Sequence, residues 1–308
     1  MEGSMTRLET FCNLGYRRDP FFGAQYRTGD MVRVERILAM AVESRAMISI
    51  VGERGIGKTK AVKAALDKMK VKRVNVEKLD KETCTIGDIR TAMITDLAPE
   101  NTQIKRGGEV SSRQLRRIVG EAATAANARP IVVVIEEAQR LHANTLRSLK
   151  SLREMEWLGQ SELFTVLLLA QSDPMNRPGV SEVQLRSDIV RMKGLSADEA
   201  ADYVTVTLGN RFEEPALAAL SDLPQARNYL ELQELCVKLL NRALACGREQ
   251  VTSDDVQAVS GEQGTEPLPK SAPRKQATAP AASGAGALKS VLSRRSGQTE
   301  EGKEAAAC

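Results

Sequence analysis

The chain of 308 residues is 42% hydrophobic but only 3% aromatic, enough apolar material for one large or two moderate cores built mainly from Val, Ile, Leu, Ala and Met. Lys and Arg number 44 against 40 Asp and Glu, so a net charge of +4 neither demands nor excludes a polyanionic partner, and local clusters must decide. A single His142 removes any His-rich metal site, and five scattered cysteines without a Cys-x-x-Cys pair argue for reduced thiols in a cytoplasmic setting.

The first residues, "MEGSMTRLETFCNLGYRRDPFF", lack a basic region followed by an apolar one, so no secretory leader is expected. No run approaches the roughly 18 to 20 apolar residues of a membrane span. Residues 1–30 read as a docking segment whose "RDPFFG" aromatics are expected on the main domain. From Met31, Val34, Ile37, Leu38 and Ala41 share one helix face, and "MISIV" then reads as a buried strand. "KRVNVEKL" is a second strand, and "TIGDIRTAMITDLA" returns to helical period behind a Thr85/Asp88 capping box. After a loop come the helix "SSRQLRRIVGEAATAAN", the strand "PIVVVIEEA", the helix "NTLRSLKSLREMEWL" and the strand "LFTVLLLAQ". Alternating strands and helices over 31–193 predict right-handed crossovers and a mainly parallel sheet. Residues 194–261 carry only helical spacing and caps, which predicts a small all-helical second domain. The composition of 262–308 shifts to Pro, Ala, Ser, Gly, Lys and Arg, which predicts a disordered basic tail.

"GERGIGKT" places Gly52, Glu53, Arg54, Gly55, Ile56, Gly57, Lys58 and Thr59 between a strand and a helix, the pattern of a phosphate-binding loop. Its glycines let the backbone curl so that successive N–H groups face inward, and the following helix adds its positive N-terminal end. Lys58 is then expected on the β- and γ-phosphates and the Thr59 hydroxyl on Mg²⁺, with ATP as the nucleotide. "PIVVVIEEA" delivers Glu136 and Glu137 to a strand end, where ligands of parallel sheets bind. Glu136 is assigned to the Mg²⁺ shell and Glu137 to the attacking water. Asp is usual at the first position, and the extra methylene of Glu136 moves its carboxylate outward. Gln171, where the next apolar strand emerges, suits a hydrogen bond to the γ-phosphate or the water. Arg186 and Arg191 are candidates for an arginine finger reaching a neighbouring subunit.

The order of these pieces over about residues 30–261 resembles the AAA+ ATPases. The short lid and the loop style resemble the branch of phage Mu B-type, TniB-type and TnsC-type transposition regulators, and "RDPFFG" is similar to the lead-in of ExeA-type ATPases. The resemblance implies an α/β fold: a P-loop NTPase in three layers around a mainly parallel sheet, with a helical lid. It also implies that Arg227, in "LPQARNYLELQEL", occupies the sensor 2 position on the γ-phosphate, and that Lys105 and Arg106 lie in a loop tracking DNA phosphates. Arg147, Lys150 and Arg153 repeat every three residues near one helix face, a second candidate for non-specific contact with duplex DNA.

The function so implied is an ATP-dependent, DNA-binding ATPase that forms rings or helical filaments with copies of itself, marks a target and stimulates a transposase. Alternatives are an ExeA-type secretion or envelope ATPase and a non-hydrolysing nucleotide-binding scaffold.

Overall fold

Two strands near the middle of the sheet, β1 (Met47–Val51), apolar but for Ser49, and β3 (Ile131–Ile135), apolar throughout, are buried at every residue, as strands covered on both faces must be. The structure, a computed structural model, describes residues 5–23, 26–76, 84–105, 107–180 and 187–263. With β2 (Lys72–Val76), β4 (Thr165–Ala170) and β5 (Ser187–Arg191), the strands form a five-stranded sheet in the order β2-β3-β4-β1-β5, parallel at every pairing. Alternation of side chains divides its two faces. Ile48, Ile50, Val134 and Leu169 pack under α2 (Gly29–Glu43) and α3 (Lys58–Lys68). Val51, Val133, Ile135 and Leu168 pack under α4 (Ile86–Leu97), α5 (Gly108–Thr124) and α6 (Ala143–Arg153). This is a three-layer P-loop fold with its carboxyl strand ends on one side, where open parallel sheets bind ligands.

Three local features differ from the sequence reading. Strand β5 was not foreseen: only Val190 is fully buried on this edge strand, between charged residues, so no apolar run marks it. Helix α6 stops at Arg153 rather than continuing to Leu158. Trp157 and Gln160 instead exchange two backbone hydrogen bonds of 2.9 Å across a tight turn, and the indole fills the space beside Gly120, where any Cβ would collide with it. Helix α5 also begins at Gly108, three residues early. The Thr85/Asp88 capping box is present, with Thr85 N donating to Asp88 Oδ2 at 2.7 Å.

After Gly194 the described elements are α7 (Ala197–Leu208), α8 (Glu214–Ser221), α9 (Tyr229–Ala245) and α10 (Ser253–Gln263), with one isolated bridge between Phe212 and Val251. Their core centres on Leu232, Cys236, Leu239 and Leu240. The aromatics of the N-terminal segment, which opens on α1 (Arg7–Asn13), join this core and not the sheet: Phe11 meets Phe21 at 5.8 Å, and Phe21 stacks on Tyr203 at 6.0 Å. Both sheet faces are already covered by α2 to α6, so the open apolar surface lies among the helices. Phe22 stays exposed. At the start of α10, buried Asp255 accepts from Arg248 Nη1 and Nη2 at 2.7 and 2.8 Å and from Thr252 N at 3.0 Å. The Arg248 guanidinium above all holds its carboxyl well below the usual range.

No disulfide joins the described cysteines, and no helix among the described residues is long and apolar enough to cross a membrane. The tail read as disordered lies, beyond the end of α10, outside the described residues.

Candidate functional site

The loop after β1 takes its shape from its glycines. Gly55 and Gly57 adopt φ of +87° and +90°, a region open to glycine at little cost. Gly57 is also the N-cap of α3, with no side-chain cap, so the first N–H groups of that helix are left for another acceptor. Ile56 is buried and anchors the loop on the core, while Glu53, Arg54 and Thr59 are exposed. Lys58 Nζ donates to Gly52 O and Glu53 O, both at 2.7 Å, which draws the ammonium over the curl of the loop. Burial pushes its pKa down, and the carboxylates of Glu137 and Glu136 oppose that shift.

Both carboxylates follow β3, adjacent to the loop. Thr59 Oγ1 donates to Glu136 Oε2 at 3.3 Å, so the hydroxyl and carboxylate assigned to one cation are neighbours. Glu137 sits in the left-handed region at φ +51°, a conformation that costs a non-glycine residue energy and that clusters at functional positions. Its Oε2 accepts from Gln139 Nε2 at 2.6 Å and Gln171 Nε2 at 3.2 Å, with Arg140 Nε at 3.7 Å. The Gln171 backbone N–H donates in turn to Gln139 Oε1 at 3.0 Å, closing a ring of three residues from the ends of β3 and β4. The sequence reading passed over Gln139. Its one signal was a position two residues past Glu137, in a 3₁₀ turn (Ala138–Arg140) tight enough to fold back.

The helical region supplies the other wall. A cleft of about 570 Å³ is bordered by Gly52, Glu53, Gln171, Arg191, Arg227 and Asn228, among others. Arg227 ends the 3₁₀ turn Pro224–Arg227 with its side chain exposed, and its carbonyl accepts from Leu195 N at 2.9 Å. The buried Asn228, also missed from sequence, donates through Nδ2 to Arg54 O at 2.7 Å and caps α9 by accepting from Leu230 N at 3.0 Å. Tyr229 packs on Gly57, and burial pushes its hydroxyl up to about 12. Arg191 Nη2 lies 3.7 Å from Asp173 Oδ2, whereas Arg186 is outside the described residues.

Residues 41–176 match the family model of the AAA domain. That match spans less than half of the chain. The chain's fold is shared by Cdc6p from Pyrobaculum aerophilum, at 15% identity and a TM-score of 0.57 over 80% of this chain and 71% of that one. The Aeropyrum pernix ORC2 protein, solved as ADPNP–ADP complexes, gives 16% and 0.55 over 80% and 69%. Drosophila ORC bound to DNA gives 13% and 0.57 over 86% and 68%. Among curated proteins, none matches the chain by sequence.

The glycine-rich loop at residues 52–59 suits the phosphates of a nucleoside triphosphate with Mg²⁺. Among the described residues no group of three or more His, Cys, Asp or Glu could hold a metal, so a cation at Thr59 and Glu136 would draw further oxygens from phosphate, as Mg²⁺ commonly does.

Several of the basic residues read as a nucleic-acid surface are engaged within the fold. Lys105 is exposed between α4 and α5, its backbone N–H on Gln114 Oε1 at 2.9 Å, and Arg106 is outside the described residues. Arg147 is exposed and donates to Asn144 Oδ1, and Lys150 is half-buried. Arg153 does not complete a free cationic row: its Nη2 donates to Arg45 O and Glu162 Oε1, both at 3.0 Å. Lys68 pairs with Glu35, Arg73 with Asp67 and Arg113 with Glu109.

Proposed function

We propose that the chain is an ATP-dependent, DNA-binding AAA+ ATPase whose nucleotide governs assembly of its copies on duplex DNA, and that it regulates DNA transposition through a transposase partner. The observation that carries the ATPase reading is the convergence of Lys58, Thr59, Glu136, Glu137 and Gln171 at the carboxyl ends of three adjacent strands.

In this reading the loop amides and Lys58 hold the β- and γ-phosphates, and Thr59 with Glu136 ligates the cation. Bound Mg²⁺ neutralises phosphate charge. Glu137 accepts a proton from the attacking water, held in place through Oε2 by Gln139 and Gln171. Arg227 meets the terminal phosphate from the helical wall, and the Asn228 bond to Arg54 O ties closure of that wall to the loop. Nucleotide acts as a population switch, because it favours only the state whose contacts it bridges.

DNA contact is supported by the shared fold with an ORC described as bound to DNA and by exposed Lys105 and Arg147. The transposition assignment is supported by the loop and lid motifs of the sequence.

The test measures phosphate release with and without random duplex DNA, alongside nucleotide-dependent gel shift. Wild type is expected to hydrolyse ATP and to bind DNA only with ATP. Glu137→Gln is expected to retain ATP-dependent binding and lose hydrolysis by about 100-fold or more. Hydrolysis by Glu137→Gln at the wild-type rate, or DNA binding indifferent to ATP, would contradict the proposal.

A further inference from the structure

Arg191 reads from sequence as a residue that could reach a neighbouring copy, and in the fold it also lies beside the phosphate loop of its own chain. Strand β5 ends on Arg191, whose Cα pairs with Val51, and Met192 N donates to Val51 O at 2.8 Å. The strand end therefore runs beside the first glycine of the phosphate loop, so closely that a Cβ on Gly52 would lie 3.3 Å from Met192 O. Val190 and Met192 are buried in the core under α2 and α3, which turns Arg191 to the opposite side of the strand. Arg191 borders the cleft with Gly52, Glu53, Gln171 and Arg227.

The main chain beneath it is held firmly. Arg33 Nη1 donates to Arg191 O at 3.2 Å, and Asp30 Oδ2 accepts from Lys193 N at 2.6 Å and Gly194 N at 2.9 Å. The head is loosely held: its side chain is 64% exposed, and its contact is a 3.7 Å approach to Asp173 Oδ2. Asp173 itself is 11% exposed and fixed by a 2.9 Å bond from Met175 N to Oδ1. An ion pair at that separation with an exposed guanidinium holds weakly, whereas a phosphate offers a guanidinium two charged acceptors at once. Glu53 and Glu231 also border the cleft and disfavour an anion there, so a terminal phosphate needs cationic compensation from that wall.

We propose that Arg191 contacts the terminal phosphate of the nucleotide held by its own chain, exchanging Asp173 for that phosphate and so favouring triphosphate over diphosphate. The inference rests on the nucleotide reading above.

Binding of the β,γ-imido analogue of ATP and of ADP is measured by calorimetry with Mg²⁺, at a protein concentration shown by sedimentation to be monomeric. Arg191→Ala is expected to weaken the analogue by about tenfold or more while leaving ADP affinity unchanged, and Arg191→Lys to recover part of the loss. Mixing Arg191→Ala with Lys58→Ala chains is expected to restore no hydrolysis, because neither chain then holds a complete site. Equal effects on both nucleotides, no effect in the monomer, or restored hydrolysis on mixing would overturn the assignment. Wild type that binds neither nucleotide would overturn the nucleotide reading itself, and the inference with it.

Discussion

Asn228 is the point at which the helical region grips the phosphate loop, and its removal should be felt in both. Asn228→Ala deletes an N-cap, worth about 1 kcal/mol, and leaves the Arg54 carbonyl without its 2.7 Å donor, worth roughly 1–3 kcal/mol if no water replaces it. The sum is about 3 kcal/mol, or a fall in melting temperature of roughly 6–12 °C for a domain of this size. Asn228→Asp separates the two contributions, because aspartate still caps α9 but offers no N–H to Arg54; it should lose only the roughly 1–3 kcal/mol of the Arg54 bond. The assay is urea unfolding of the three proteins, followed by nucleotide titration of each. ATP affinity should fall in both variants, since the loop loses its tether. An Asn228→Ala protein within about 0.5 kcal/mol of wild type, the scatter of ordinary surface substitutions, would refute the clamp.

Two further predictions concern the scaffold. Gly120→Ala drives a Cβ into the Trp157 ring, and overpacking of this kind costs about 1–3 kcal/mol; because Trp157 is the single tryptophan, its fluorescence should shift to longer wavelength as the indole is displaced. Unchanged emission would show that the turn carrying Trp157 docks elsewhere. For Asp255 the folded-state pKa lies below the unfolded one, so its contribution to stability is complete above about pH 4 and is lost as the pH falls from there through the folded value. Asp255→Asn should therefore be less stable at neutral pH and show a shallower acid limb in unfolding titrations. Parallel acid limbs in the two proteins would contradict this.

The parts of the molecule that sequence reveals are those whose cause is local. "MISIV" and "IVVVI" read as strands because both faces are buried, so every residue but Ser49 is apolar. The phosphate loop is legible because the glycines that its curl requires lie within eight consecutive residues, and Glu136 and Glu137 because they end an apolar run. What escaped depends on distant partners. Gln139 matters through Gln171, 32 residues on, and Asn228 through Arg54, 174 residues back. Strand β5 is half-buried at the edge, so its pattern is set by β1 and not by its own residues. Trp157 ends a helix early because Gly120 leaves room for its ring. The N-terminal aromatics settle wherever apolar surface remains open, which only the assembled fold determines.

The most direct measurement is calorimetric titration of ATP and Mg²⁺ into wild type and Lys58→Ala. The account predicts saturable binding of one nucleotide per chain in wild type, dependent in strength on Mg²⁺, and its loss in a Lys58→Ala protein that remains folded by circular dichroism. Undiminished binding by Lys58→Ala, or none by folded wild type, would mean that residues 52–59 do not hold a nucleotide's phosphates.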